Sequence, residues 1–263
     1  MSHPSDPSPH DATRIEAAIL PAFSHYPGVP PPVVVSLTTL PEHPCSYFPE
    51  RTARSRALWA PRLPGSLYHH FMDAGFRRSG KVVYQPICPR CRACRPIRIP
   101  VGRFAPGKSQ RRCWRHNQDL VVTVAPPCAS EESYALYMRY VLHWHRRDSA
   151  EDSREAFERF LYDSPVESLE FSYREKSGAL LAVGICDVSN EAFSSVYFFF
   201  DPGESDRSLG TFGALYELEY AKASGIEYYY LGYWIDGCDT MQYKNRFRPY
   251  ELLGSDGKWI AIQ

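Results

Sequence analysis

Apolar and polar positions along this chain change period as it proceeds, and each change marks a different element. Residues 168–174, 179–188 and 193–200 are strand-like runs of β-branched, aromatic and aliphatic residues, separated by the turn pairs Ser177-Gly178 and Ser189-Asn190. Three such runs with tight turns predict an antiparallel meander. After Asp201-Pro202 the period lengthens: residues 208–224 read as a helix, and 228–234 return to a strand. Upstream, residues 130–147 predict a helix with Tyr134, Tyr137, Met138 and Val141 on one stripe. Its acids, Glu131 and Glu132, lie at the start and Arg146 and Arg147 at the end, the order that the helix dipole favours. A shorter helix is expected over 153–162.

The first half is less regular. Residues 1–32, rich in Pro, Ser and His, bury too little to order themselves and are expected to form a disordered tail. A β-branched run over 33–38 predicts a strand, and residues 65–75 a helix stopped by Gly75. Strands are expected through Tyr84, over 96–101 and over 120–124, with a helix starting at Lys108 and capped by Ser109. Pro126-Pro127 marks a boundary. The expected organisation is α+β: the tail, a basic cysteine-containing α/β subdomain over 33–125, and a second unit over 126–263.

Charge sharpens this picture. The chain carries 30 Lys and Arg against 30 Asp and Glu, yet Arg77 to Gln118 holds twelve cations and no acid. A solvated surface normally mixes both signs, so this segment points to a polyanion such as nucleic acid. Lys108, Arg111, Arg112 and Arg115 fall on the expected helix, where Arg111 and Arg115, four apart, share a face and can straddle phosphates. No apolar run is long enough to span a membrane and the N-terminus lacks a signal-peptide pattern, so a cytoplasmic protein with eight reduced cysteines is expected.

The cysteines carry the second chemical signal. Cys88-x-x-Cys91-x-x-Cys94 has the spacing that lets thiolates close on a zinc ion or an iron–sulfur cluster, and Cys45 is the candidate fourth ligand. The plainer reading is three inert thiols on a tight loop. Cys113, Cys128, Cys186 and Cys238 read as small buried hydrophobes. Further on, Arg207 to Gly213 opens the 208–224 helix with glycines that let an anion approach free backbone N–H groups. Meander, helix, strand is the core order of the acetyltransferase-like (GNAT) fold, although the glycine spacing departs by one residue from its pyrophosphate loop.

Short blocks spread from about residue 38 to 260 resemble a known family. They include Cys45-Ser-Tyr, Phe76-Arg-Arg-Ser-Gly, the cysteine cluster with Ile97-Arg98, Lys108-Ser-Gln-Arg, Ser208-Leu-Gly, Leu231-Gly-Tyr-Trp-Ile, Met241-x-Tyr-Lys and Phe247-Arg-Pro. In this order they are similar to the arginyl-tRNA–protein transferases and their bacterial relatives, the aspartate/glutamate leucyltransferases. Phe48 stands where eukaryotic members have a second cysteine, and the spaced triplet is that of the bacterial branch. The resemblance implies a GNAT-like core and transfer of an amino acid from aminoacyl-tRNA to the N-terminal amine of proteins beginning with Asp or Glu, marking them for N-degron degradation. It implies a leucyl donor, with an arginyl donor as the alternative.

No cofactor is required for such chemistry, because an α-amino group with a pKa near ~8 is partly neutral and an aminoacyl ester is already activated. Arg77, Arg78 and Lys244, with Tyr84, become the expected acceptor-binding residues. Asp187 would orient the amine, and Tyr243 would hold the oxyanion. Arg207 and Gly210 join the residues expected at the tRNA. A monomer would suffice. An acyl-CoA N-acetyltransferase and a non-catalytic zinc-stabilised RNA-binding protein stay open as other classes.

Overall fold

The computed structural model describes residues 35–145, 153–189 and 191–263. The tail expected over residues 1–32 lies outside them, as do Asn190 and the arginines expected to end the helix at 147. Short strands β1 (Thr38–Thr39), β2 (His43–Pro44) and β3 (Thr52–Ala53) lead into β4 (Ser55–Trp59), helix α1 (Gly65–Asp73), β5 (Arg77–Ser79) and β6 (Val82–Pro86). Next come β7 (Arg95–Pro100), α2 (Lys108–His116), β8 (Val121–Ala125), α3 (Glu131–His145) and α4 (Arg154–Phe157), which runs on as a π-helical turn. The remainder is β9 (Ser168–Arg174), β10 (Leu180–Val188), β11 (Ala192–Phe200), α5 (Leu209–Ala223), β12 (Tyr228–Trp234), α6 (Asp239–Gln242), β13 (Tyr250–Leu253) and β14 (Trp259–Ile262). The protein is α+β. No helix among the described residues is long and apolar enough to cross a membrane.

Eight strands form one sheet in the order β14-β13-β7-β12-β11-β10-β9-β8, and a smaller sheet runs β1-β4-β6-β5. The expected meander is β9-β10-β11, antiparallel throughout. After it the α5 crossover returns the chain to β12, which pairs parallel to β11. This is the acetyltransferase-like core. All nine residues of β10 are buried, since helices cover both faces of the meander, and its sequence is accordingly an apolar run broken only by Asp187. On one face Phe171, Phe193 and Tyr229 pack with α5; on the other Val183, Ile185 and Phe199 pack with α3 and α4.

Helix α1 stops where its glycine predicts. It ends in a Schellman arrangement: Gly75, at φ +84°, donates to the Met72 carbonyl at 2.9 Å and Phe76 to the Phe71 carbonyl at 2.8 Å, with the two Phe rings edge-on at 5.1 Å. The α2 cap is a correction. Gly107, not Ser109, precedes the helix, because the Gln110 side chain folds back and accepts the Gly107 N–H at 2.8 Å. Trp114 then fixes α2 against Phe212 and Tyr216 of α5.

The division expected at Pro126-Pro127 does not follow the sheets. β7 and β8 both precede it, yet β7 lies between β12 and β13, and β8 is an edge strand beside β9. A strand's own pattern gives its buried face but not its partner, so this insertion is not visible locally.

Candidate functional site

β11 and β12 pair over only three residues, Ala192 with Tyr228, Phe193 with Tyr229 and Ser194 with Tyr230. Beyond these, β11 stays with β10 and β12 with β7, and the two strands splay apart. A splay strips backbone groups of their ladder partners, and buried ones must find others. Arg77, the first residue of β5, fills the gap: Nη1 donates to Ser194 Oγ and Nη2 to the Ser195 carbonyl. Its guanidinium lies against Gly232, which sits at φ +80°; a Cβ there would stand 3.3 Å from Arg77 Nε. Glycine meets both demands, the left-handed backbone and the close approach. Arg77 is therefore a wedge built into the sheet, whereas the sequence suggests an acceptor-binding cation.

Arg78 is also committed, to Asp187. Its Nε donates to Asp187 Oδ2 at 2.7 Å and its Nη2 to Oδ1 at 2.7 Å, while Ser168 Oγ and Tyr68 Oη add bonds of 2.8 and 3.0 Å. Both side chains of the pair are fully buried. Four donors occupy the carboxylate, so Asp187 has no room to orient an incoming amine, and the charge of Arg78 is already answered. The roles expected for both are corrected to one structural ion pair. Its partners lie 109 residues apart, beyond the reach of any spacing argument.

Lys244 Nζ donates to the Tyr233 carbonyl at 3.0 Å and lies 3.5 Å from Met241 Sδ. Burial, and then the nearby Arg77 charge, push its ammonium down to about 7. Its ammonium thus sits inside the fold on a backbone carbonyl, where the sequence suggests a cation presented to an acidic substrate. Tyr84, Tyr47, Phe48 and Tyr233 gather around Cys94 and Cys238 beside it, and burial raises the Tyr84 phenol. Tyr243 is half-buried against the core; burial first, then Tyr140 and Glu217, push its phenol up, so it keeps its proton and is available as a donor.

Glu217 is a buried carboxyl that no motif singles out. It is wholly buried on α5, accepts a hydrogen bond from Tyr229 Oη, and burial raises its carboxyl to about 7 despite the opposing bonds from Tyr229, Cys186 and Ser195. The signal is present in the sequence, since position 217 falls on the apolar stripe with Gly213, Ala214, Leu218 and Ala221.

The cations divide sharply. Lys108, Arg111, Arg112 and Arg115 are exposed on α2, with no carboxylate bridged to them among the described residues. Arg207 differs: Asp119 holds it at 2.9 and 3.0 Å, Glu204 at 2.9 Å, and Glu175 lies 3.7 Å away. Three acids already answer its charge, so the phosphate role expected of Arg207 is corrected to a surface ion-pair network. Gly210 sits in the first turn of α5, behind Ser208 at φ +53°.

All eight cysteines are free thiols. Cys94 is central: burial first, then Cys45, Cys88, Cys91 and Cys238, raise its thiol to about 12. Cys91 is held below the usual thiol range by the Ala93 N–H and by Arg51, whose Nη1 donates to its sulfur at 3.6 Å. Soft thiols gathered around one of their number fit the donor chemistry of zinc or an iron–sulfur centre, although no three of them meet as metal ligands among the described residues. Cys238, expected to be a small buried hydrophobe, is buried and packs beside Cys94, whereas Cys128, expected to be buried, is exposed.

The family model described as arginine-tRNA-protein transferase, N terminus, matches residues 43–112, and its C-terminal counterpart matches residues 132–254. The chain is 43% identical over 224 residues to the aspartate/glutamate leucyltransferase of Stenotrophomonas maltophilia (strain R551-3), covering 82% of this chain and 88% of the relative. It is 39% identical over 225 residues to that of Hahella chejuensis, covering 84% and 95%. Among solved structures, FemX superposes with a TM-score of 0.44 at 10% identity, over 74% of this chain and 68% of that one.

Proposed function

The chain belongs to the arginine-tRNA-protein transferase family, and on that premise we propose that it moves leucine from leucyl-tRNA to the N-terminal amine of proteins that begin with Asp or Glu. That it is an aminoacyl-tRNA–protein transferase follows from the family; the leucyl donor and the acidic acceptor rest on the name shared by its relatives. The product would carry an N-degron, and the work would be done in the cytoplasm. In the reaction the acceptor's α-nitrogen attacks the ester carbonyl, an amide bond forms, and the terminal ribose hydroxyl leaves with a proton. An activated ester and a partly neutral amine leave positioning and oxyanion stabilisation as the main demands. Tyr243, which keeps its proton, donates to the oxyanion, and the splay between β11 and β12 receives the aminoacyl end.

The observation that carries this reading is the 43% identity over most of both chains. Its test is a mixing assay in which labelled leucyl-tRNA, arginyl-tRNA or acetyl-CoA is offered with peptides beginning Asp, Glu or Asn. Leucine on the acidic peptides is expected. Transfer from arginyl-tRNA instead would overturn the donor, and acetylation would overturn the class.

The exposed α2 cations, Lys108, Arg111, Arg112 and Arg115, are assigned to the tRNA backbone. Changing Arg111 and Arg115 together to Ala is expected to weaken tRNA binding and to flatten its log–log salt dependence by roughly 0.7 to 0.9 for each phosphate no longer neutralised. An unchanged slope in a salt titration would remove α2 from the tRNA face.

Cys45, Cys88, Cys91 and Cys94 would hold a zinc ion or an iron–sulfur centre. Such a group, when bound, staples the β2–β3 segment to the cysteine loop and adds its binding free energy to folding. Cys91→Ser is expected to lower both the metal found by elemental analysis and the melting temperature, and Cys128→Ser neither. Active wild-type protein free of metal, purified anaerobically, would count against the centre.

A further inference from the structure

Three cations with no role assigned so far share one cleft. It encloses about 700 Å³ between the loop bearing Cys88, Cys91 and Cys94, the adjoining ends of β6 and β7, and the turn joining β13 to β14. Arg56, Arg92 and Arg95 line it, and no Asp or Glu does. Two of the three are fixed by neutral acceptors. Arg56 Nε donates to Gln85 Oε1 at 2.7 Å, and Arg92 Nη1 donates to the Cys88 and Cys91 carbonyls at 2.5 and 2.9 Å. Such bonds hold a guanidinium in place without neutralising it.

Three other arginines in this half of the chain are answered by carboxylates. Arg78 is held by Asp187, Arg98 by Asp73 and Glu251 at 2.7 and 2.8 Å, and Arg54 lies 3.3 Å from Glu42. Three guanidiniums facing one space without a carboxylate repel one another, and a bound anion relieves that repulsion. The cleft is also placed for chemistry. Tyr233 and Cys94 line its inner end, Tyr233 carries the carbonyl that Lys244 donates to, and its neighbour Gly232 abuts the Arg77 wedge at the splay.

We propose that this cleft binds the acidic first residue of the acceptor protein, with Arg56, Arg92 and Arg95 reading the side-chain carboxylate; the proposal rests on the acceptor class given above. A carboxylate held there leaves the α-amino group, a few bonds away, at the Tyr233 end beside the splay, and the rest of the acceptor leaves through the open side. RNA is the less suited occupant. The walls include Ala74, Pro86, Leu253 and Ile260, a confined and partly apolar setting, whereas a phosphate backbone takes its cations from an open face such as that of α2.

The test is direct binding of fluorescent peptides that differ only in a first residue of Asp or Asn, without tRNA, to the full chain and to Arg95→Gln and Arg95→Lys variants. Leucyl-tRNA affinity, measured separately, controls for folding. The wild type is expected to prefer Asp, and Arg95→Gln to weaken the Asp peptide by roughly ten- to a hundredfold, the scale of a lost charge-assisted hydrogen bond. Asn binding and tRNA affinity should stay unchanged, and Arg95→Lys should recover part of the preference. Loss of tRNA affinity with peptide discrimination intact would give the cleft to nucleic acid and overturn the proposal, as would retention of both. A wild type that ignores the Asp/Asn difference would instead overturn the acceptor reading itself, and this site with it.

Discussion

Asp187→Ala is expected to lower folding stability by roughly 3 to 5 kcal/mol, the cost of leaving one member of a buried ion pair uncompensated. That is a large part of the stability of an ordinary domain. The change strands the Arg78 guanidinium, both of whose carboxylate bonds are 2.7 Å, and removes the acceptor for Ser168 and Tyr68. Urea denaturation measures it. Replacing both members by apolar residues of similar size should cost much less, because the desolvation penalty disappears together with the attraction. The comparison separates the structural role from the catalytic one that the sequence suggests: a catalytic Asp187 would give a stable, inactive variant, whereas a structural one gives a protein that melts early and whose remaining folded fraction still transfers leucine.

Arg77→Met is the second large effect. It removes both donors from the splay, leaving the Ser195 carbonyl and Ser194 Oγ to seek other partners in a buried setting. One orphaned buried acceptor costs about 1 to 3 kcal/mol. The larger consequence is geometric, since β11 and β12 are held apart by this side chain where the reaction is assigned. A shift of about 1 Å in a reacting group can cost on the order of a hundredfold in rate, and kcat is expected to fall by that order. The KM for an acidic peptide should rise no more than that for leucyl-tRNA. A selective rise for the peptide, with stability and kcat intact, would return Arg77 to the acceptor pocket.

The contrast between these two arginines and the helices explains what is legible in the sequence. The meander, α5 and β12 are legible because period and turn chemistry are local, and the Gly75 stop is legible because a Schellman ending is written in the last turn of a helix and the residues after it. The fates of Arg77, Arg78 and Arg207 are not. Each depends on a partner about ninety residues or more away, Ser194, Asp187 or Asp119, and a cation in a sequence looks the same whether it meets phosphate, carboxylate or a stray carbonyl. The segment free of acids therefore reads as a local excess but not as two populations: one exposed on α2, the other bonded inside the fold. Arg92 and Arg95 lie within that segment, but their role requires the β13–β14 turn, more than a hundred and fifty residues downstream, to close a wall around them. Glu217 is obscured for the opposite reason, since its position on the apolar stripe is readable but its charge argues for solvent.

The place of β7 has a consequence for how the molecule is made. This strand, complete by Pro100, bonds on one side to β12 and on the other to β13, both more than a hundred residues later in the chain. During synthesis it must wait, unpaired on both edges, until β12 and then β13 have left the ribosome; only then can the two halves of the large sheet be joined through it. Nascent chains stalled before residue 228 would hold the meander but not the seam, and a fragment starting at residue 126 would carry β12 and the β13–β14 hairpin with nothing between them. The centre of the sheet is thus the last part to assemble, and it is where the reaction is assigned.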